Sequence, residues 1–258
     1  GISQIYYPTE DIDKKVKGKS FKILTKNKIK VKRGLLKSLS KDFYKSYNIN
    51  RKQKLPYVTG KIAVSKNDLI YSYKSRKITN KYSDKFTHLL RYKNDSILIT
   101  YRTLNKDNPK LNCRIKGLES FSPKRVILDN KLNSKPNRYI IANAKKNNTI
   151  IFYNEASKSK ILSFKKKKIL LVRSRVNRDK NFDFQDILKK LFKIGCRNLL
   201  IEGGGVLTNN LLKKRVFNEF YLYKGQRTLS KFPDYLKFND FDLLREKYKK
   251  KIKLNLKL

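Results

Sequence analysis

The stretch from Asn198 to Asn210 carries the clearest chemical signal in this sequence. An apolar run, Leu199, Leu200 and Ile201, passes into Glu202, then three glycines (Gly203, Gly204, Gly205), then Val206, Leu207, Thr208, Asn209 and Asn210. A buried strand that turns through glycines directly into a helix leaves bare backbone beside the unpaired N–H groups of the helix start. That arrangement suits a phosphate or pyrophosphate. A carboxylate at the strand's carboxyl end is where open α/β sheets place ligand-contacting groups. The same residues also make sense as a plain strand–helix connection, with Glu202 only offsetting the positive end of the helix. The spacing is neither GxGxxG nor a Walker loop.

A second cluster runs through Arg91, Thr103, Asp107, Leu111 and Arg114. Arg91 closes an apolar-faced helix and Arg114 follows a loop containing Pro109, so two guanidinium groups can converge on one phosphate. Asp107 before Asn108 and Pro109 favours a turn, in which its carboxylate can simply close an Asx-type loop.

The elements that must position these groups alternate. Residues 2–7 read as a strand, 20–28 as a helix, 29–32 as a strand and 35–49 as a helix, with Gly18 and Gly34 at turns. The polar stretch 50–54, ending at Pro56, reads as a linker. From Tyr57 onward the pattern is that of a full α/β domain. Strands are expected at 57–65, 96–100, 125–128, 138–142, 149–153, 168–172, 198–201, 217–223 and 251–258. Helices are expected at 80–92, with Phe86, Leu89 and Leu90 on one face, at 184–192 and at 206–213. Alternation of this kind predicts a largely parallel sheet covered on both faces.

Composition narrows the class. The 258 residues carry 65 Lys+Arg against 20 Asp+Glu, a formal net charge of +45. The basic residues are mostly lysine and are spread over the whole length. Asn, Ile, Tyr and Phe are also abundant, and all of these have A/T-rich codons. The charge is therefore read as compositional drift of a solvated surface rather than a nucleic-acid face, although it would speed the encounter with a phosphorylated substrate. No apolar run approaches the ~20 residues of a membrane span. Cys113 and Cys196 are far apart, form no CxxC pair and fit a reducing, cytoplasmic compartment. With His88 the sole histidine, a zinc site of His and Cys would use almost the whole inventory. The chain starts at Gly1 and contains no Met, which reads as part of a longer product.

Taken in order, several motifs resemble the reductase domain of the bifunctional riboflavin-biosynthesis deaminase–reductase. They are Lys61-Ile-Ala-Val-Ser65, Ile78-Thr79, His88-Leu-Leu-Arg91, Asp95-Ser-Ile-Leu98, Thr103 to Leu111, Arg114, Pro123 to Asp129 and Ile201-Glu-Gly-Gly204. The resemblance covers the chain from about residue 55 onward. It implies a dihydrofolate-reductase-like α/β domain over 56–258, with a central mixed, mostly parallel sheet flanked by helices. It also implies NADPH-dependent reduction of the ribosyl group of 5-amino-6-(5-phosphoribosylamino)uracil to the ribityl compound, by hydride transfer to C1′, in a homodimer or higher assembly. Ser75, Arg91, Leu111, Arg114 and Glu202 are implied to contact the phosphorylated substrate. Ala63, Lys77, Thr103, Asp107, Asn130 and the segment Gly204, Gly205, Val206, Leu207, Thr208, Asn209 and Asn210 are implied to contact NADPH.

Residues 1–55 resemble the end of the fused deaminase domain, through Gly1 to Ile5, Lys17 to Ser20 and Ile29 to Gly34. They lack that domain's His-x-Glu and Pro-Cys-x-x-Cys zinc elements, so deamination by this chain alone is not expected. The reductase part also departs from the family. Lys66-Asn67-Asp68 stands where Leu-Asp-Gly is usual, Lys77 where Trp is common, and Asn218 where Asp is common. Two other readings follow from these features: a polyanion-binding protein exploiting the charge, and a non-catalytic scaffold that keeps the reductase fold.

Overall fold

The computed structural model describes residues 1–72, 78 and 80–248, which divide into two units at Pro56/Tyr57. The strand expected at 251–258 lies outside the described residues.

In the first unit, β1 (Gln4–Tyr7) pairs in parallel with β2 (Lys30–Arg33), and α1 (Lys19–Lys26) connects them. The helix expected over 35–49 is two helices, α2 (Lys37–Phe43) and α3 (Lys45–Gln53), broken at Tyr44. Helix α3 runs through most of the stretch read as a linker and stops at Lys54, whose left-handed backbone ends it. Asn50 then caps the exit by donating from Nδ2 to the Leu55 carbonyl at 2.8 Å. All the buried hydrophobic side chains among the described residues belong to the second unit, while Ile23, Leu39 and Phe43 of the first are exposed.

The second unit is built on a seven-stranded sheet. Its strands are β3 (Tyr57–Val64), β5 (Ser96–Thr100), β6 (Lys124–Leu128), β7 (Thr149–Tyr153), β8 (Leu170–Arg173), β9 (Asn198–Ile201) and β10 (Glu219–Lys224). Their order is β10-β3-β9-β5-β6-β7-β8, and every pairing is parallel. The antiparallel part is a separate ribbon of β4 (Leu69–Ser72) and β11 (Tyr235–Lys237). Helices α4 (Lys81–Lys93), α5 (Tyr101–Asp107), α6 (Tyr139–Ala142), α7 (Lys158–Lys166), α8 (Phe184–Lys193), α9 (Gly205–Lys213) and α10 (Phe241–Lys247) complete the unit.

Parallel strands covered on both faces should be largely buried, and the central ones are: Ser96–Ile99 and Thr149–Phe152 are buried at every position, while β8 and β10 at the sheet edges are only partly covered. Ile97, Ile99, Ile127, Ile151 and Leu200 pack with Leu90 of α4, Leu104 of α5 and Phe164 of α7 into one core. Helix α8 buries Phe184, Ile187, Leu188 and Leu191, the i, i+3, i+4, i+7 stripe of an amphipathic helix.

Residues 138–142, expected to be a strand, form the short helix α6. Its Ile140 and Ile141 are both buried, and so brief an apolar run carries no period by which strand and helix can be told apart. Helix α5 was not expected at all. It starts because the Thr100 hydroxyl accepts from the Thr103 amide, an N-cap at the end of β5. Helix α4 is fixed more firmly by a capping box between Asn80 and Ser83. At its other end, Asp95 accepts from the Arg197 and Asn198 amides at 2.8 and 3.0 Å and thereby sets the start of β9 beside β5.

Candidate active site at the carboxyl ends of β3 and β9

Strands β3 and β9 lie side by side, with Gly60 opposite Ile201. The next residue on each is charged: Lys61 on β3 and Glu202 just past β9. The Glu202 amide donates to the Leu98 carbonyl of β5, so the backbone is held at the point where the carboxylate leaves the sheet.

Arg91, in the last turn of α4, meets that carboxylate with two parallel hydrogen bonds. Nε donates to Oε1 and Nη2 to Oε2, each at 2.9 Å. Its Nη1 donates to the Asn112 carbonyl at 3.3 Å. The side chains of Arg91 and Glu202 are only 12% and 13% exposed, so the pair is largely withdrawn from water. Burial alone would raise the Glu202 carboxyl, but the Arg91 charge and hydrogen bonds, with Lys61 and His88 behind them, hold it below the ordinary value. Burial likewise works against the Arg91 cation, and Glu202 overcomes it. Lys61 differs. Burial pushes its ammonium below the usual lysine range, with Arg91 pushing the same way and Glu202 and Asp84 only partly offsetting. The Lys61 ammonium lies 5.0 Å from the centre of the Tyr223 ring. Burial also raises the Tyr223 phenol.

Arg114 reaches this cluster through His88. Its Nε donates to His88 Nε2 at 3.1 Å, and His88 Nδ1 lies 3.1 Å from the Asn112 carbonyl that Arg91 also contacts. Burial, then Arg91 and Arg114, hold the imidazole below its ordinary pKa, while the Asn112 carbonyl and Glu202 pull the other way. Leu111, next to Asn112, is buried with φ 53°.

The glycine turn adjoins Glu202. Helix α9 has Gly204 at its N-cap, no side-chain cap and no acidic residue in its first turn. Among the described residues, a methyl group on Gly204 would meet only Thr103 Oγ1, at 3.7 Å, so its bare backbone is uncovered there beside Thr103. Gly205 is small for another reason, since a Cβ there would strike Ile70 at 2.6 Å and Leu236 at 2.8 Å. Asn209 Oδ1 on α9 and Asn130 Oδ1 at the end of β6 are buried without a hydrogen-bond partner among the described residues.

The structure thus brings Arg91, Arg114 and Glu202 into one cluster and Thr103 against Gly204, while Leu111 belongs to the apolar core one residue before Asn112. Ala63 sits in β3 opposite Tyr223, Gly205–Asn210 form the first turns of α9, and Asp107 is the exposed last residue of α5. Ser75 and Lys77 lie outside the described residues. The paired-arginine expectation changes in one respect: Arg91 is clamped on Glu202, leaving Arg114 as the exposed guanidinium. Lys61 and His88 were not singled out as site residues. Lysine is everywhere in this chain, but one inside an otherwise apolar strand was a usable signal.

The sequence profile of the family described as the RibD C-terminal domain matches residues 57–229. The riboflavin biosynthesis protein RibD of Buchnera aphidicola is 29% identical over 250 residues, covering 90% of this chain and 64% of that protein. That of Aquifex aeolicus is 26% identical over 225 residues, covering 86% of this chain and 61% of its own length. The 2,5-diamino-6-ribosylamino-4(3H)-pyrimidinone 5′-phosphate reductase of Debaryomyces hansenii is 29% identical over 170 residues, 61% of this chain and 69% of that one. Among solved structures, the deaminase/5-amino-6-(5-phosphoribosylamino)uracil reductase of Thermotoga maritima superposes with a TM-score of 0.74 at 22% identity. That match covers 92% of this chain and 63% of the other. The chain therefore spans less than two thirds of the length of these bifunctional-type relatives.

Proposed function

This chain belongs to the RibD C-terminal domain family, and on that premise we propose that it reduces 5-amino-6-(5-phosphoribosylamino)uracil to its ribityl counterpart with NADPH. The observation that carries this reading is the Arg91–Glu202 clamp with Lys61 beside it, one residue before a bare glycine turn at the start of a helix.

The residues fit a dinucleotide. The uncapped start of α9 and the open side of Gly204 suit its pyrophosphate, and the unpartnered amide oxygens of Asn130 and Asn209 are available as acceptors. Thr103, beside Gly204, would hold it in place. When bound, the nicotinamide supplies the hydride that C1′ of the opened, imine-like sugar accepts.

The protein's own tasks are to orient and to move a proton. Opening the ribosylamine shifts a proton from nitrogen to the ring oxygen, and completing the reduction puts a proton on nitrogen. Lys61, whose ammonium is weakened by burial, is the group suited to hold and release that proton. Glu202 is held on the ionised side by the Arg91 clamp, so it acts as a fixed acceptor for substrate N–H or hydroxyl groups and partly offsets the burial that weakens the Lys61 ammonium. Arg114 is exposed and suits the 5-phosphate.

The deciding experiment follows NADPH oxidation with this substrate, using stereospecifically deuterated NADPH. The expected result is substrate-dependent turnover with deuterium at C1′ of the product. Turnover no faster than without substrate would refute the reading.

A further inference from the structure

His88 is the chain's one histidine. It is buried on α4, and both its ring nitrogens face the segment that carries Arg114. An arginine Nε–H can only donate, so the contact at 3.1 Å obliges His88 Nε2 to present its lone pair. In a neutral imidazole the proton then sits on Nδ1, where the Asn112 carbonyl accepts it at 3.1 Å. The Arg114 amide also points its N–H at Nδ1, at 3.2 Å, and so competes with the Asn112 carbonyl for that nitrogen; the Nε contact, whose donor cannot reverse, decides the tautomer. With Nε turned inward to His88, the outer Nη1/Nη2 edge of the exposed Arg114 is left as a planar fork. That is the geometry that grips a phosphate bidentately.

We propose that His88 is a positioning residue, whose ring aims the Arg114 fork at the 5-phosphate of the substrate. This rests on the reductase reading above, in which Arg114 receives that phosphate. Protonation of His88 would set an N–H against the Arg114 Nε–H and release the arginine. The charged groups facing the ring are Arg91 from its own helix, Arg114 from the following loop and Glu202 from the end of β9. The two arginines and burial outweigh Glu202, so the ring protonates only below its ordinary value of 6.5. Phosphate recognition is therefore intact at neutral pH and is lost as the pH falls through that depressed value.

The test measures KM and kcat of the full chain with NADPH, for the phosphorylated substrate and for its dephosphorylated riboside, in H88L, H88Q, R114A and the H88L/R114A double variant. R114A should erase the preference for the phosphorylated compound. H88L should raise its KM about tenfold, the scale of one misaligned charged hydrogen bond. In H88L, kcat should change less than about threefold and the KM of the riboside should hold, because the phosphate contact alone is disturbed. H88Q, whose side-chain carbonyl can take the Arg114 hydrogen bond, should restore most of the loss, and the double variant should be no worse than R114A.

The pH arm separates the ring from the ligand. The substrate phosphate itself titrates near about 6, so its limb is common to all variants, and only wild type should show a further rise of KM in acid that H88Q lacks. A normal phosphate preference in R114A would overturn the placement of Arg114, and the inference with it. R114A behaving as expected while H88L keeps its KM would overturn the role of His88 alone. If H88L does not fold, coincident acid limbs for wild type and H88Q would overturn it equally.

Discussion

Arg91 closes a two-point clamp on Glu202, with Nε and Nη2 each donating at 2.9 Å to a different carboxylate oxygen. The two residues are far apart in the chain, and the clamp ties the end of α4 to the turn after β9. Cutting it from one side leaves a charge stranded away from water. R91A should therefore destabilise the protein by about 3 kcal/mol, and R91A/E202Q should recover part of that, because the stranded carboxylate is gone. Denaturant melts of the four members of the cycle check this, and additive effects would show that the clamp contributes no coupling.

The same clamp sets an acid limit. Glu202 is held below its unfolded value of 4.5, so its contribution is present above that value and disappears as the pH drops through the lowered one. In R91A burial is left less opposed and the folded value rises toward or past 4.5, so this acid loss of stability should shrink or reverse sign. Stability measured between neutral pH and about pH 3 decides the matter, and coincident limbs for the two proteins would count against it.

Lys61 gives a limit of the opposite sense. Because burial lowers its pKa from 10.5, kcat should fall in alkali before an exposed lysine would lose its proton. K61M should lower kcat by ~100-fold, the scale of a lost proton-transfer group, with NADPH affinity unchanged. An unaltered pH–rate profile in K61M would remove Lys61 from the chemistry.

Two adjacent glycines should respond differently. At Gly204 a methyl group has room against the protein, so G204A should keep its Tm while its affinity for NADPH falls. At Gly205 the methyl group would press on Ile70 and Leu236, so G205A should lose stability by about 1–3 kcal/mol. Thermal melts paired with NADPH titration read both, and the opposite pattern would mean that the bare backbone at Gly204 serves only packing.

Away from the site, Asp186 on α8 offers a stability test without catalytic consequence. Burial alone would raise its carboxyl, but Lys190, the Ser174 hydroxyl and the Arg175 amide converge on Oδ2 and hold it at about 2. That contribution is complete above 3.8 and fades as the pH approaches 2. D186N should cost about 1–2 kcal/mol at neutral pH and nothing at the acid extreme. A penalty that persists in acid would mean the loss is one of packing.

Much of this could be read from residue order, and the exceptions have identifiable causes. The buried strands β5, β7 and β9 announce themselves as short apolar runs, and Glu202 with its glycines marks the site because a carboxylate and bare backbone are conspicuous after Ile201. Helix α6 was misread because Ile140 and Ile141 fit either period. Helix α5 was missed because its start depends on a single hydroxyl, that of Thr100. The true partner of Arg91 was hidden for a different reason. Only the insertion of β9 between β3 and β5 brings Glu202 to α4, and strand order is not written in local pattern. His88 and Lys61 gain their meaning from the same juxtaposition.

The seating of β10 against β3, with Glu219 opposite Thr59, has a consequence for biogenesis. The first strand of the sheet to leave the ribosome is joined on its outer flank by the last, so β3 keeps that border unpaired until residues 219–224 have emerged. An open border of that kind invites pairing with another polypeptide. Until β10 arrives, the flank beside Lys61 also lacks the wall that Tyr223 provides. Emergence of residues 219–224 thus closes that side of the sheet and seats Tyr223 beside Lys61 in a single event.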